Sequence, residues 1–141
     1  MKIPDYLKEG DTIGITACSC GILDKIDKYK DSISNIKAQG FGILETKNVY
    51  TNGVVSSSSK QRAIELNQLV EDDSIKCIAI ASGGDFLYDM LPYVDFHSIS
   101  NHPKWIIGSS DPTSLLFTIT TCLNIATMYT PCNMSGFNGK M

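Results

Sequence analysis

The feature that most constrains the fold is a nearly continuous apolar run at residues 75–81, IKCIAIA. Such a run is typical of a strand that is covered on both faces, because a half-exposed strand alternates apolar and polar residues. Four further runs have the length and composition of short strands. They lie at residues 11–17, 41–45, 104–107 and 125–129.

Amphipathic helices are predicted between these strands. Apolar residues recur every three or four positions across residues 23–39, which is the helical period. Ser58 and Gln61 have the spacing of a capping box, so a second helix is predicted to begin there and to end at the acidic residues 71–73. A shorter helix is predicted over residues 86–93.

The alternation of strands and helices predicts an α/β fold with a mostly parallel sheet and helices on both faces, of the Rossmann or flavodoxin-like kind. The length of 141 residues suits a single domain spanning residues 1–141. In such sheets ligands bind beyond the carboxyl ends of the strands. Four segments are therefore expected to meet at one edge: residues 18–21, 82–85, 108–111 and 130–133.

Composition excludes several classes of function. The net charge is −3 and Arg62 is the single arginine, which argues against nucleic-acid binding. No apolar run reaches the 18–20 or so residues that a membrane span needs. The first residues, MKIPDYLKEGD, lack the apolar core of a secretory signal. We therefore expect a cytoplasmic protein that binds neither nucleic acid nor membrane.

The five cysteines contain no CxxC pair, and their number is odd. Each lies in or beside an apolar or small-residue stretch, so we expect reduced thiols that pack as small hydrophobic groups. Reduced thiols are typical of proteins in the cytoplasm. The residues are Cys18, Cys20, Cys77, Cys122 and Cys132.

The strongest candidate for chemistry is the loop at residues 106–113, IIGSSDPT. A predicted buried strand ends at a glycine, and Asp111-Pro112 then opens a helix, because proline is tolerated in a first turn. A serine on such a turn points its hydroxyl away from the sheet, which makes Ser110 a candidate nucleophile and the Asp111 N–H a candidate oxyanion donor. Two alternatives remain open: a helix cap formed by Ser110 or Asp111, and an anion or phosphate site at the helix end.

A second candidate is the turn Ser82-Gly83-Gly84-Asp85 after the most apolar strand. Paired glycines let the backbone approach a ligand closely and leave N–H donors exposed. The turn lacks the spacing of a dinucleotide fingerprint and of a Walker loop. It is either a simple tight turn or, opposite Ser110, a cradle for an oxyanion or carboxylate.

A serine nucleophile needs a base, and that base is usually histidine. His102 precedes the strand at residues 104–107 and Ser110 follows it, so about 16–20 Å separates them at the rise of a strand. His97 lies further upstream on the same side. We expect both histidines to be surface or loop residues, so the chain has a plausible nucleophile without a base for it.

The motifs in combination resemble the LD-carboxypeptidase family of serine peptidases, and most of all its microcin-immunity branch. They are GDTIGI near the start, the helical motif RAIELN whose first residue is Arg62, the double-glycine turn, LPYVDF and GSSD. The similarity runs from about Leu7 to Pro131. Two departures are Cys18-Ser19-Cys20 where the family often has Ala-Pro-Ser, and Thr130-Pro131 where it often has Gly-Pro.

The resemblance implies a cytoplasmic hydrolase without metal or cofactor that cuts an amide bond near a free carboxylate. Its substrate would be an L,D-linked murein peptide or a peptidyl-nucleotide antibiotic, and the full-length protein would be a homodimer. Ser110 would be the nucleophile, with the Asp111 N–H and the Gly84 N–H as the oxyanion hole. Ser82 and Gly83 would contact the substrate.

The family's Glu and His belong to a C-terminal domain that these 141 residues do not contain, so the chain alone is expected to be inactive. One alternative function is a non-catalytic α/β domain whose two turns hold a phosphate or carboxylate. Another is a folding unit that only dimerises through an apolar surface.

Overall fold

The computed structural model describes residues 1–137 and contains one five-stranded, fully parallel sheet. The spatial order β2-β1-β3-β4-β5 is that of flavodoxin-like folds, so the predicted fold class is confirmed. The last four residues of the predicted domain, 138–141, lie outside the described part. The strands are β1 (Thr12–Thr16), β2 (Gly42–Glu45), β3 (Ile75–Ile80), β4 (Trp105–Gly108) and β5 (Met128–Tyr129).

Within the described residues, four α-helices cover the sheet, and they lie on both of its faces as predicted. They are α1 (Ile26–Ala38), α2 (Ser59–Glu71), α3 (Phe96–Asn101) and α4 (Thr113–Leu123). Helices α2, α3 and α4 pack on one face in a core that includes Ile78, Ile80 and Ile106. Helix α1 packs on the other face against Ile15 and Ala79. Among the helices of residues 1–137, none is long and apolar enough to cross a bilayer.

Side-chain hydrogen bonds stabilise both ends of α2. The Ser58 Oγ accepts a hydrogen bond from the Gln61 N–H at 3.2 Å, as the capping-box spacing predicts. The Gln61 side chain donates instead to Glu65 at 3.1 Å, so only half of the box forms. At the other end, the Lys104 Nζ donates to the carbonyls of Leu69 and Asp72, which places a cation at the negative end of a helix that acidic residues close.

Two predicted elements differ from the structure, and one helix lies outside the prediction. The segment expected as a short helix is a 3₁₀ helix, Leu87–Tyr93, whose interior contains Pro92, a residue that cannot donate a helical hydrogen bond. Helix α3 was not predicted; the carboxylate of Asp95 caps it by accepting from the Ser98 N–H at 2.9 Å. The last strand is shorter than predicted, because Ile125 pairs only with Lys2 in an isolated bridge.

Candidate active site

A cavity of about 380 Å³ opens at the carboxyl edge of the sheet. The four loops that were expected to meet at this edge all contribute to its wall, and so do the 3₁₀ turn Leu23–Lys25 before α1 and the loop before α2. The strand order explains the position of the cavity. From β1 the chain adds β2 on one side, and β3, β4 and β5 are added on the other side, so a crevice forms between the loops that follow β1 and β3. The lining residues are Cys20, Asp24, Lys25, Asn52, Gly53, Gly83, Gly84, Ser110, Asn133 and Ser135.

Ser110 lies two residues after the end of β4 and has a backbone φ of +63°. This left-handed conformation is uncommon for a residue other than glycine and is often found where a side chain must be presented in one direction. The residue is exposed and its hydroxyl lines the cavity. The N-cap of α4 is Pro112 and no side chain caps the helix, so the helix-cap alternative for Ser110 and Asp111 is wrong.

The double-glycine turn faces Ser110. A Cβ placed on Gly83 would lie 3.6 Å from the Ser110 Oγ, so this glycine borders the space directly in front of the hydroxyl. Gly84 has a φ of +155°, and a Cβ there would clash with the Ser19 Oγ and lie 2.7 Å from the Cys20 Sγ. A side chain is therefore excluded at Gly84 by the backbone and by the packing together.

The two N–H groups that were predicted as oxyanion donors belong to Gly84 and Asp111. Within residues 1–137, no intramolecular hydrogen bond engages either group. Free N–H donors beside an exposed hydroxyl are what an oxyanion hole requires. Their role in catalysis stays a prediction.

Ser82 lies behind the cavity wall, where it is fully buried. Its hydroxyl accepts a hydrogen bond from the Lys25 Nζ at 3.4 Å, and Lys25 itself lines the cavity. Any contact between Ser82 and a ligand would therefore pass through Lys25. Sequence reasoning did not identify this lysine, because it lies 57 positions from Ser82.

The carboxylate of Asp111 joins three loops. Its Oδ2 accepts from the Ser19 hydroxyl at 2.5 Å and from the Leu87 N–H at 2.9 Å. The sequence predicted a backbone role for Asp111 in the oxyanion hole, with a helix cap as the alternative, and neither prediction included these side-chain contacts. The GSSD motif was the available signal, although it says nothing about the partners of the carboxylate.

Asn133 holds the residue before the nucleophile. Its Oδ1 accepts from the Ser109 N–H at 2.8 Å, and its Nδ2 donates to the Ser109 carbonyl at 3.0 Å. This two-point contact fixes the peptide groups on both sides of Ser109 and so the direction in which the chain enters Ser110. The segment 130–133 was expected at this edge, but Asn133 was not singled out.

Both histidines lie away from the cavity, as expected. His102 follows α3 and contacts the Ser98 carbonyl through Nδ1, while His97 contacts Asn101. His102 precedes β4 and Ser110 follows it, so the two lie beyond opposite ends of the same strand. Within residues 1–137, no histidine lines the cavity.

A larger cavity of about 470 Å³ lies on the sheet face covered by α1. Its wall is mostly apolar and includes Ile36, Phe41, Met128 and Phe137. It contains none of the predicted site residues. Ser110 and the double-glycine turn lie in the smaller cavity.

The five cysteines are free thiols. Cys18 and Cys77 are buried and pack as small hydrophobic groups, as predicted, and Cys20 and Cys132 are partly buried. The prediction is wrong for Cys122, which is exposed on α4. Burial raises the pKa of the Cys18 and Cys77 thiols from 9.0 to about 12.

These raised pKa values predict that the protein loses stability in alkali. Because the unfolded thiols ionise near pH 9 and the folded ones near pH 12, the free energy of unfolding falls between these values by about 1.4 kcal/mol per pH unit for each thiol. Urea unfolding at pH 8, 9.5 and 10.5 measures the slope. Cys77→Ala should reduce it and Cys122→Ala should leave it unchanged; equal slopes in Cys77→Ala and the parent would contradict the prediction.

Comparison with known proteins identifies the family. The sequence profile of the LD-carboxypeptidase N-terminal domain matches residues 13–130, which is most of the chain. The chain belongs to the LD-carboxypeptidase family. The resemblance inferred from the motifs is therefore confirmed, and the matched region contains every residue predicted to form the site.

Three relatives illustrate the range of the LD-carboxypeptidase family. A Vibrio cholerae protein named as a carboxypeptidase is 35% identical over 139 residues, 97% of this chain and 42% of the relative. The microcin C7 self-immunity protein MccF of Escherichia coli is 32% identical over 137 residues, 93% of this chain and 39% of the relative. A Bacillus subtilis protein named as a murein peptide carboxypeptidase is 26% identical over 129 residues, 91% of this chain and 40% of the relative.

The solved structure of MccF in complex with adenosine monophosphate matches with a TM-score of 0.89 at 32% identity, over 95% of this chain and 41% of that one. The fold of this LD-carboxypeptidase domain is therefore the fold of the corresponding part of MccF. The chain spans about two fifths of the length of the relatives it matches.

Proposed function

We propose that this chain carries the nucleophile of a serine carboxypeptidase that hydrolyses an amide bond near a free carboxylate. The observation that carries the proposal is the conformation of Ser110, whose φ of +63° presents a free hydroxyl to the cavity opposite the double-glycine turn. Family membership supports carboxypeptidase chemistry. A variant of MccF described as an active-site mutant has a serine, an asparagine and a lysine replaced by alanine, which supports serine chemistry in a relative.

In this reaction the Ser110 Oγ attacks the carbonyl carbon of the scissile amide while a base removes the hydroxyl proton. The tetrahedral oxyanion accepts hydrogen bonds from the N–H groups of Gly84 and Asp111. The intermediate collapses to an acyl-enzyme as the protonated base gives its proton to the leaving amine. Water then hydrolyses the acyl-enzyme by the same steps and frees Ser110.

The base and its acidic partner are proposed to be a His and a Glu on a second domain, as family resemblance implies. Support comes from residues 1–137, in which neither His97 nor His102 lines the cavity that contains Ser110. On this proposal the 141-residue chain is inactive by itself, and the cavity around Ser110 forms one side of the complete site.

A chimaera tests the assignment of the nucleophile. Residues 1–137 of this chain, joined to the remaining part of MccF, would combine the proposed nucleophile and the neighbouring Asn133 with the second domain of a relative of the same fold. We expect hydrolysis of an aspartyl-nucleotide, reduced about 10⁴–10⁶-fold by Ser110→Ala. Ser109→Ala is the matched control, because Ser109 is buried in the same loop and uses its backbone for its contacts with Asn133. Loss of activity in Ser109→Ala but not in Ser110→Ala would overturn the assignment.

The substrate is proposed to be a small L,D-linked murein peptide or a peptidyl-nucleotide. Names of the relatives support each class: one is a murein peptide carboxypeptidase, and MccF has been solved with aspartyl sulfamoyl adenosine. Both classes carry a carboxylate near the scissile bond. In the cavity, Lys25 is a cation that such a carboxylate can reach.

We expect Lys25→Met to weaken the binding of a D-alanine-terminated peptide about fivefold, because one partly exposed charge pair contributes about 1 kcal/mol. Calorimetry at low salt measures the change. Lys28→Met is the control, since Lys28 is exposed on α1 and does not line the cavity. Preferential binding of a nucleotide without a peptide would instead favour the alternative of a non-catalytic phosphate-binding domain.

A cytoplasmic location and a homodimeric full-length enzyme complete the proposal. Five free thiols support a reducing compartment. Large apolar side chains that remain exposed, including Phe117 and Tyr129, support an additional contact surface. Sedimentation of the full-length protein tests the dimer, since a monomer at micromolar concentration would exclude it.

A further inference from the structure

Two charged side chains beside the site share one peptide group without touching each other. The Arg62 Nη1 donates to the Phe86 carbonyl at 2.9 Å, and the Leu87 N–H donates to the Asp111 Oδ2 at 2.9 Å. This carbonyl and this N–H belong to the single peptide bond between residues 86 and 87. A cation therefore lies at one end of that peptide dipole and an anion lies at the other.

The same two side chains are joined a second time through the loop after β1. The Arg62 Nη1 also donates to the Cys18 carbonyl at 2.9 Å, and the hydroxyl of the next residue, Ser19, donates to the Asp111 Oδ2 at 2.5 Å. The loops after β1 and β3 thus each lie between the guanidinium and the carboxylate. Neither connection involves a direct ion pair.

Burial makes these connections energetically important. Arg62 is only 2% exposed, and its hydrogen bonds go to three backbone carbonyls, those of Cys18, Ser57 and Phe86. The buried carboxylate one turn further along α2, Glu65, is occupied by the Asn48 N–H and the Gln61 side chain. Burial of a cation whose hydrogen bonds go to no carboxylate is costly, and a peptide polarised by a carboxylate at its far end offsets part of that cost.

The geometry points to a positioning role for the pair: we propose that Arg62 and Asp111, coupled through the 86–87 peptide, hold the double-glycine turn in register with the Ser110 loop. The turn is fixed at its near end by the Cys20 N–H, which donates to the Gly83 carbonyl at 3.1 Å. The 86–87 peptide fixes the far end. Because the Gly84 N–H belongs to this turn, the pair also positions a proposed oxyanion donor. That consequence rests on the proposed function, whereas the coupling between the two side chains does not.

A double-mutant cycle in urea unfolding tests the coupling. Asp111→Asn keeps an oxygen that can accept both hydrogen bonds but removes the charge, and Arg62→Gln removes the cation. If the charges act through the peptide, the double variant should have an unfolding equilibrium constant at least about fivefold smaller than the product of the single effects predicts. Arg62→Lys keeps the charge but cannot bind three carbonyls at once, so its cycle with Asp111→Asn should show a smaller coupling than that of Arg62→Gln. Where Arg62→Gln does not fold, the Leu87 amide resonance of Asp111→Asn and Arg62→Lys provides the test.

The amide proton resonance of Leu87 provides a readout that general destabilisation does not move. Both Asp111→Asn and Arg62→Gln should shift it upfield, although Arg62 does not contact that N–H, and Arg62→Lys should shift it less than Arg62→Gln. The control is Lys104→Met, which removes another cation bound to carbonyls at the opposite end of α2. Its expected result is lower stability with an unchanged Leu87 resonance.

The proposal would be overturned if the effects of the two substitutions on the free energy of unfolding were strictly additive and the Leu87 amide resonance did not change with the charge at position 62. Neither measurement uses catalysis. If the cycle shows coupling but the MccF chimaera is inactive, this proposal is supported and the proposed function is contradicted. An active, Ser110-dependent chimaera with an uncoupled pair would do the reverse.

Discussion

The 141-residue chain on its own should hydrolyse an L,D-linked tetrapeptide at least about 10⁴-fold more slowly than a full-length member of its family. Among residues 1–137, no histidine lines the cavity around Ser110, and His102 lies beyond the opposite end of β4. A neutral serine hydroxyl is a weak nucleophile, and the oxyanion donors alone recover only a small part of the rate. Release of the terminal D-amino acid, followed by chromatography, measures the difference.

The control for this prediction is Ser110→Ala in the same chain. Because the parent is expected to be inactive already, the substitution should change the residual rate by less than about tenfold. A parent chain that works at the rate of a full-length relative, and that Ser110→Ala inactivates, would show that a base within these residues had been overlooked. In that case Lys25 would be the first group to examine, since it is a titratable side chain in the same cavity.

The sheet could be predicted from the sequence because its signals are local. Buried parallel strands produce apolar runs, and all five predicted strands exist, with β1–β4 close to their expected bounds. The unpredicted helix α3 spans six residues, which is too short to show a helical period. Its start depends on the capping carboxylate of Asp95, a signal that many turns share.

The site was predictable only where its geometry follows from neighbouring residues. A strand that ends in glycine, serine and a helix start determines the presentation of Ser110. The partners of the Asp111 carboxylate lie 92 and 24 positions away, and those of Asn133 lie 24 positions away. Contacts of this kind depend on the order of strands in the sheet, which periodicity does not encode.

Local geometry can be predicted from neighbouring residues and long-range contacts cannot. For this reason the sequence predicted the backbone roles in the site but not the hydrogen bonds of the Asp111 and Asn133 side chains. The Gly84 N–H could be proposed from a double glycine after a strand, since the type of turn follows from the residues within it. The tie between Asp111 and Ser19 requires β1, β3 and β4 to be adjacent, and that arrangement is a property of the whole sheet.

Gly84→Ala should lower the free energy of unfolding by about 3–4 kcal/mol. Two effects add: the φ of +155° is unfavourable for alanine, and the new Cβ would enter the space of the Ser19 Oγ and the Cys20 Sγ. Gly53→Ala separates these effects. Gly53 also has a positive φ, +110°, but a Cβ there would meet nothing nearer than the Val55 carbonyl oxygen at 3.8 Å, so about 1 kcal/mol is expected. Equal losses in the two variants, measured by urea unfolding, would contradict the clash.

Gly83→Ala should reduce turnover and leave stability almost unchanged, whereas the main effect of Gly84→Ala is on stability. Gly83 has no positive φ, and its added Cβ would make ordinary contacts of 3.4–3.6 Å with Asn133 and Ser110, so stability should change by less than about 0.5 kcal/mol. The methyl group would occupy the space in front of the Ser110 Oγ, where the substrate carbonyl must lie. In the MccF chimaera we therefore expect about a 10²-fold loss of turnover from Gly83→Ala without a loss of stability. Full turnover in this variant would mean that the substrate reaches Ser110 from another side, and the Gly84 N–H would then no longer be placed to bind the oxyanion.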